Sequence, residues 1–356
     1  LQVGTVAGAA AMNLAAAAVD SIDIGVNTLN STVTVGTGAN VNFSTATQAT
    51  TTVITAAIAN AATNTVNLSV DSLDGATTAL TTTWTAGTVT NMKTVNLALA
   101  ADDSFTTATS FSVGTADLVV TGAGTGALTL ATTTTAASIN ASGMTGAGIA
   151  TIALAGGATV GTVTTGAGDD VLNIANTALT AGTYNLNTGK GADTINILDG
   201  ASNQHYSING GDGTDTVSFG TTDAVLTGKT FSLTSIEAIQ IGGAAGGLTV
   251  DGSQLTGQAI AIQDATAPGV IVADELTLTV DANTLDFSDL IVNAAGVGIT
   301  IAGNAYTAVA AATIIGTNAN DVITGNGGKV FNVTGGAGDD TITSGALADT
   351  LNGGDG

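Results

Sequence analysis

The sequence predicts an all-β chain folded as a right-handed parallel β-solenoid, and three observations point there. Glycine- and aspartate-rich nonapeptides recur at a nearly constant interval. Short β-branched stretches with period-two alternation are separated by Gly, Asn, Asp and Thr, as strands separated by turns are. The side chains are small, with 49 glycines in 356 residues and 3% aromatics, yet 44% of the residues are hydrophobic. That is too apolar for a disordered tail, so the chain should fold around a core of thin side chains.

In order along the chain, residues 1–160 read as an irregular solenoid, with strands at Ile22–Ile24, Thr32–Val35, Thr65–Val70 and Thr94–Leu97. Ala9–Ala18 and Thr52–Ala62 are open between a short helix and alanine-rich coil. Residues 161–222 carry the first nonapeptides, 223–310 continue the solenoid through Leu276–Val280, and 311–356 carry the second nonapeptide cluster. Looser echoes support stacked coils over independent domains. Ile236-Glu-Ala-Ile-Gln-Ile241 resembles Met92-Lys-Thr-Val-Asn-Leu97 and Val19-Asp-Ser-Ile-Asp-Ile24, and Asn140-Ala-Ser-Gly-Met-Thr-Gly146 resembles Asp251-Gly-Ser-Gln-Leu-Thr-Gly257.

The nonapeptides begin at Thr165, Thr188 and Gly210, and again at Gly316, Gly335 and Ser344, with an opening Gly353-Gly-Asp-Gly356. Those at 210 and 335 match G-G-x-G-x-D-x-U-x in full, and the set resembles the calcium-binding repeats of the RTX family. The resemblance implies β-roll coils that bind Ca2+ over residues 165–222 and 311–356. Thr165 and Thr188 replace the first Gly, Thr317 and Ala319 replace two others, and Leu347 a third, so the turns at 316 and 344 are expected to depart from the repeat's backbone geometry.

Physical chemistry supplies a reason for the ion. Coils stack about 4.8 Å apart, which places Asp170, Asp193 and Asp215 in one column. Two carboxylates at that spacing repel by about 0.9 kcal/mol in water and about 3.5 kcal/mol at an effective dielectric near 20. Calcium relieves this because it accepts several oxygens in flexible geometry, and glycine lets backbone carbonyls join the aspartates. Magnesium, with stricter geometry, fits less well.

The candidate ligand turns are Thr165, Gly166, Ala167, Gly168 and Asp170; Thr188, Gly189, Lys190, Gly191 and Asp193; and Gly210, Gly211, Asp212, Gly213 and Asp215. The second cluster supplies Gly316, Asn318, Asn320 and Asp321; Gly335, Gly336, Ala337, Gly338 and Asp340; and Asp349 on the opposite side. Ions are expected between the turns at 165 and 188, 188 and 210, and 316 and 335, whereas the site between 335 and 353 is expected to be cut short. Lys190 should point its charge to water. Leu172, Ile195, Val217, Ile323, Ile342 and Leu351 should stack inward as core.

Charge and composition exclude other chemistry. There are 27 acids against four bases (Lys93, Lys190, Lys229 and Lys329), a net charge of −23. Nucleic acid is therefore not an expected partner. All the acids but Glu237 and Glu275 are Asp, the residue of turns and caps. With no cysteine and one histidine, His205, neither disulfides nor thiolate or paired-histidine zinc sites can form. No apolar run is long enough for a transmembrane helix.

His205 reads as an exposed turn residue, and no catalytic set accompanies it. Gly122-Ala-Gly-Thr-Gly126 lacks the βαβ context of a dinucleotide loop. Asp71, Asp74, Asp102 and Asp103 are either further ligands or solvated turns. Pro268 and Trp84 carry no readable chemistry.

Beyond the repeats, the Ala/Thr/Gly richness, the lack of cysteine, the scarcity of lysine and the two echoes resemble bacterial surface-layer proteins. That resemblance implies a type I-secreted, extracellular structural protein, not an enzyme, that folds as calcium rises and self-associates into a lattice on the cell. Beginning at Leu1 and stopping inside a glycine-rich motif, the sequence is expected to be a piece of a longer protein, and whether a missing segment anchors it to lipopolysaccharide or another cell-surface glycan is left open. Two alternatives stand beside it: a calcium-stabilised spacer or binding module of a large RTX adhesin, and the non-catalytic module of a secreted polysaccharide enzyme. The last predicts a groove with clustered acids, bases and aromatic platforms.

Overall fold

The structure is a computed structural model that describes residues 2–6, 11–13, 21–27, 31–43, 52–56, 64–71, 80–100, 102–130, 133–154, 160–175, 182–198, 204–220, 223–242, 247–264, 276–292, 298–308 and 310–356. They form two compact units, one of Leu1–Thr194 with Asn209–Gly213 and one of Ile195–Ile208 with Thr214–Gly356. Each is all-β, with parallel strands stacked as a β-solenoid.

In the first unit the chain alternates between two parallel sheets. Gln2–Val6, Ser21–Asn27, Ala39–Phe43, Thr65–Val70, Thr94–Leu99, Asp117–Gly122, Ser138–Met144, Thr162–Thr164 and Thr183–Asn187 lie side by side in that order. Ala11–Asn13, Ser31–Val35, Thr52–Ala56, Thr81–Thr90, Ser104–Ser112, Leu128–Leu130, Ala150–Leu154 and Val171–Ile174 form the other. The two stretches open to helix thus hold strands at Ala11–Asn13 and Thr52–Ala56, and their remainders lie outside the described residues.

Period two explains why these segments stack. Each strand sends alternate residues inward, and register aligns Val41, Leu68, Leu97 and Val120 in one buried column. One residue earlier, on the outer face, Asn67 donates its amide to Asn40 Oδ1 at 2.9 Å and Asn96 donates to Asn67 Oδ1 at 2.8 Å. This amide ladder adds side-chain pairing to the backbone pairing. In the core, Trp84 meets Phe43, Phe105 and Phe111 at ring-centroid distances of 5.0, 5.2 and 5.8 Å. Trp84 is therefore the centre of an aromatic core cluster.

In the second unit, Ala224–Val225, Leu248–Asp251, Leu276–Thr279, Thr300–Ala302, Val322–Thr324 and Thr341–Thr343 make one parallel sheet. Thr284–Asp286, Ala312–Ile315, Phe331–Ala337 and Thr350–Asp355 make another, and Thr216–Phe219, Ala238–Ile241, Ala261–Asp264 and Ile291–Val292 a third. A 3-10 turn at Gly252–Gln254 is the one helical element among the described residues. Leu172, Ile195, Val217 and Ile323 are buried as expected, and Ile342 is half-buried. Leu351, on the last strand of its sheet, is 46% exposed.

Candidate metal-binding turns

With positions numbered one to nine, each nonapeptide places its sixth-position aspartate at a coil corner with the carboxylate turned in. Asp170, Asp193, Asp215 and Asp321 are all buried. The carboxylates do not stack on one another alone; they reach backbone N–H groups of the preceding coil. Asp170 Oδ1 accepts from Ala150 at 2.6 Å, Asp193 Oδ1 from Asp170 at 2.7 Å, and Asp321 Oδ1 from Ile299 at 3.0 Å. Asp340 Oδ1 accepts from Asp321 at 2.9 Å and Asp349 Oδ1 from Phe331 at 2.9 Å. N–H dipoles thus offset part of the repulsion between carboxylates, and each aspartate bonds one coil to the next.

The second oxygen separates two kinds of turn. In three of them it closes on the second-position N–H of its own turn: Asp170 on Gly166 at 3.0 Å, Asp321 on Thr317 at 2.6 Å and Asp349 on Gly345 at 2.9 Å. Asp321 also accepts the Thr317 hydroxyl at 2.8 Å. Asp340 differs: its Oδ2 is buried and has no hydrogen-bond partner. The backbone follows the same division. Positions two and four have positive φ at Gly189 and Gly191, Gly211 and Gly213, and Gly336 and Gly338, but not at Gly166 and Gly168 or at Thr317 and Ala319. Thr and Ala would be strained there, so the 316 turn takes another path, as its sequence departures predict.

The first position matters as much. A Cβ at Gly335 would lie 2.1 Å from Asp340 Oδ2 and 2.4 Å from the Gly353 carbonyl oxygen, so both oxygens converge on space that only glycine leaves. At Gly316 the same convergence involves the Gly335 carbonyl and Asp321 Oδ2, at 2.0 and 2.5 Å. Where threonine stands first, its side chain fills the place. Thr165 donates its hydroxyl to the Thr188 carbonyl at 2.8 Å, and Thr188 donates to the Gly210 carbonyl at 3.0 Å, both threonines buried.

These observations test the fit of a hard cation. At 335–340 the residues fit: an unpartnered carboxylate oxygen faces a backbone carbonyl across a glycine cradle, an all-oxygen donor set of the calcium kind. Among the described residues no three His, Asp or Glu side chains gather closely enough to hold a metal by themselves, so carbonyls must supply the remaining ligands. Burial pushes the Asp170, Asp321 and Asp340 carboxyls above the usual carboxylate range, against the hydrogen bonds that pull them down.

The other candidate residues have structural partners. Lys190 is exposed and pairs with Asp212 of the next coil at 3.1 Å. Asn318 Oδ1 accepts from Val292 N–H at 3.2 Å and Asn320 Oδ1 from Asp339 N–H at 2.7 Å. Ala337 donates to the Thr317 carbonyl at 3.2 Å, and Gly338 to that of Asp355 at 2.8 Å. Asp102 accepts from Thr125 and Asp103 from Leu80, both between coils, while Asp74 lies outside the described residues. His205 Nδ1 accepts the Thr230 N–H at 2.8 Å. Gly126 sits at a coil corner, where a Cβ would meet the Asp103 carbonyl oxygen at 1.9 Å.

Sequence reasoning missed Glu237, whose Oε2 accepts the Asp215 N–H at 2.7 Å and so does an aspartate's work outside any nonapeptide. Its only signal is a spacing of 22 residues from Asp215.

A cleft of about 440 Å³ in the second unit is lined by residues that include Asp251, Asp281 and Tyr306. Both carboxylates are engaged, Asp251 by Gly228 and Thr279, and Asp281 by the Ser253 N–H and hydroxyl. Tyr306 is buried with its hydroxyl tied to Asn283 and Ala310, so it offers no sugar platform.

No protein-family model, curated protein or solved structure matches the chain. No helix among the described residues is long and apolar enough to cross a membrane.

Proposed function

We propose that this chain is a calcium-stabilised extracellular structural protein whose coils lock as calcium rises and which then self-associates into a cell-surface layer. The observation that carries the calcium reading is the Gly335 cradle, where the unpartnered Asp340 Oδ2 and the Gly353 carbonyl oxygen converge. Asp340 and the carbonyls of the two stacked turns would hold the ion. Bound there, calcium supplies the positive charge that a buried carboxylate otherwise lacks.

The wider reading rests on charge and on calcium's distribution. A net charge of −23 keeps copies apart until cations screen or bridge them. Calcium is scarce inside cells and abundant outside, and metal binding free energy is folding free energy, so such a chain stays exportable inside and consolidates outside. Buried backbone-capping carboxylates suit a scaffold role.

The test is a calcium titration of the metal-stripped chain, following far-UV circular dichroism and particle size together, with magnesium as control. Consolidated β-structure followed by large ordered particles is the expected result. Folding without assembly would replace the surface-layer reading with that of an adhesin module. No response to calcium would overturn the metal reading itself.

A further inference from the structure

We infer that, of the turns at 165, 188, 316, 335 and 344, only the one at 335–340 takes calcium, and that the others carry a built-in substitute for the ion. This rests on the calcium reading proposed above and goes beyond it, because that reading by itself treats the repeats alike.

Two substitutes occur. At 165 and 188 the first-position threonine fills the space that Gly335 leaves, and its hydroxyl donates to the carbonyl of the next coil that faces the cradle. A carbonyl engaged by a hydroxyl is a poorer donor to a cation, and the threonine methyl excludes the ion sterically. At 165, 316 and 344 the sixth-position carboxylate closes on the second-position N–H of its own turn, so both oxygens already accept backbone donors. Asp321 is the most fully engaged, with two N–H groups and the Thr317 hydroxyl on its two oxygens.

Of these five turns, only 335 meets three conditions: glycine stands first, the second and fourth positions have positive φ, and the carboxylate keeps one buried oxygen without a partner. The 210 turn shares its glycines and its positive φ at positions two and four. The residue types at positions one and two are therefore the switch. Gly-Gly leaves the carboxylate and carbonyl for a metal, Thr at position one replaces the metal with a hydroxyl, and Thr at position two accompanies a carboxylate turned onto its own turn. Calcium response is then expected at the Gly-Gly turns, 335 and by the same rule 210, while the coils from 160 to 194 stand without it.

Hydrogen–deuterium exchange of the full chain, metal-free and with saturating calcium, tests this with magnesium as control. Calcium should slow exchange in peptides covering 331–356 and leave those covering 160–194 unchanged. Asp340→Asn should abolish the slowing at 331–356, whereas Asp170→Asn should leave it intact while raising exchange at 160–175 equally with and without calcium. Gly335→Thr, which copies the arrangement at Thr188, is the second variant: it should keep metal-free circular dichroism and lose the calcium response. Calcium protection at 160–194, or its survival in Asp340→Asn, would overturn the inference and leave the calcium reading standing. A wild-type chain with no response anywhere would overturn both.

Discussion

Asp321 donates its backbone N–H to Oδ1 of Asp340, nineteen residues later in sequence and one coil away in space, at 2.9 Å. The same side chain thus holds its neighbour coil with one oxygen and presents the other, buried and unpartnered, to the Gly335 cradle. One oxygen of the carboxylate thus holds the neighbouring coil, and the other is the one proposed to face a cation.

Removing a capping aspartate should be costly with or without calcium. Asp170→Ala leaves the Ala150 and Gly166 N–H groups without their acceptors in a buried corner, at about 1–3 kcal/mol each. A loss of about 2–4 kcal/mol is expected in urea unfolding followed by Trp84 fluorescence, which reports the same unit. A loss that vanishes on adding calcium would contradict the capping role.

The metal-free chain should respond to pH against the usual direction. Unfolded aspartates titrate near 3.8, and burial raises Asp170 and Asp321 above that in the fold. Between the two values the folded chain binds more protons, so this contribution is full below the unfolded pKa and is lost as pH rises through the folded one. Asp102 and Asp117, lowered chiefly by hydrogen bonds from Thr125 and Ser138, act in the opposite sense. They stand at the surface, where solvent screening keeps their effect small. The melting midpoint without metal should therefore fall as pH rises above the unfolded value of 3.8, and a midpoint that climbs steadily from there would refute the assignment.

The aromatic cluster should tolerate shape change better than loss of volume. Trp84→Ala opens a cavity among Phe43, Phe105 and Phe111 and should cost about 3–5 kcal/mol. Trp84→Phe leaves a smaller gap and removes an indole N–H that is buried without a partner, so about 2 kcal/mol or less is expected. Denaturant midpoints by far-UV circular dichroism rank the two, and equal losses would mean that packing is not the determinant.

Two glycines of one coil should separate backbone demand from mere composition. Gly336 has φ +125°, and an added Cβ would meet the Thr317 carbonyl oxygen at 2.0 Å, whereas a Cβ at Gly327 meets nothing within 4 Å. Gly336→Ala should lower stability by about 1–3 kcal/mol, and Gly327→Ala should change it by no more than about 0.5 kcal/mol. Thermal melts in the absence of metal compare them directly, and two neutral substitutions would show that the 335 turn is not held in this conformation.

Much of the solenoid is legible in the sequence alone. Alternation in Thr65–Val70 and Thr94–Leu99 marks the strands because side-chain direction in an extended chain has period two, whatever surrounds it. Glycine and aspartate at recurring intervals mark the corners, since both residues favour turns for reasons internal to the backbone. Glu237 is not legible there, because it takes its place in the ladder by spacing alone, without a repeat around it.

Local pattern therefore determined the strands, the corners and the sixth-position aspartates, all set by interactions within a few residues. Only the tertiary structure decided what each carboxylate does. Its interstrand partners lie 18 to 23 residues earlier, in the preceding coil, and whether an oxygen meets an N–H or a glycine cradle turns on contacts across that stack. Thr188 and Gly335 occupy the same repeat position, yet one closes the corner with a hydroxyl and the other leaves it open.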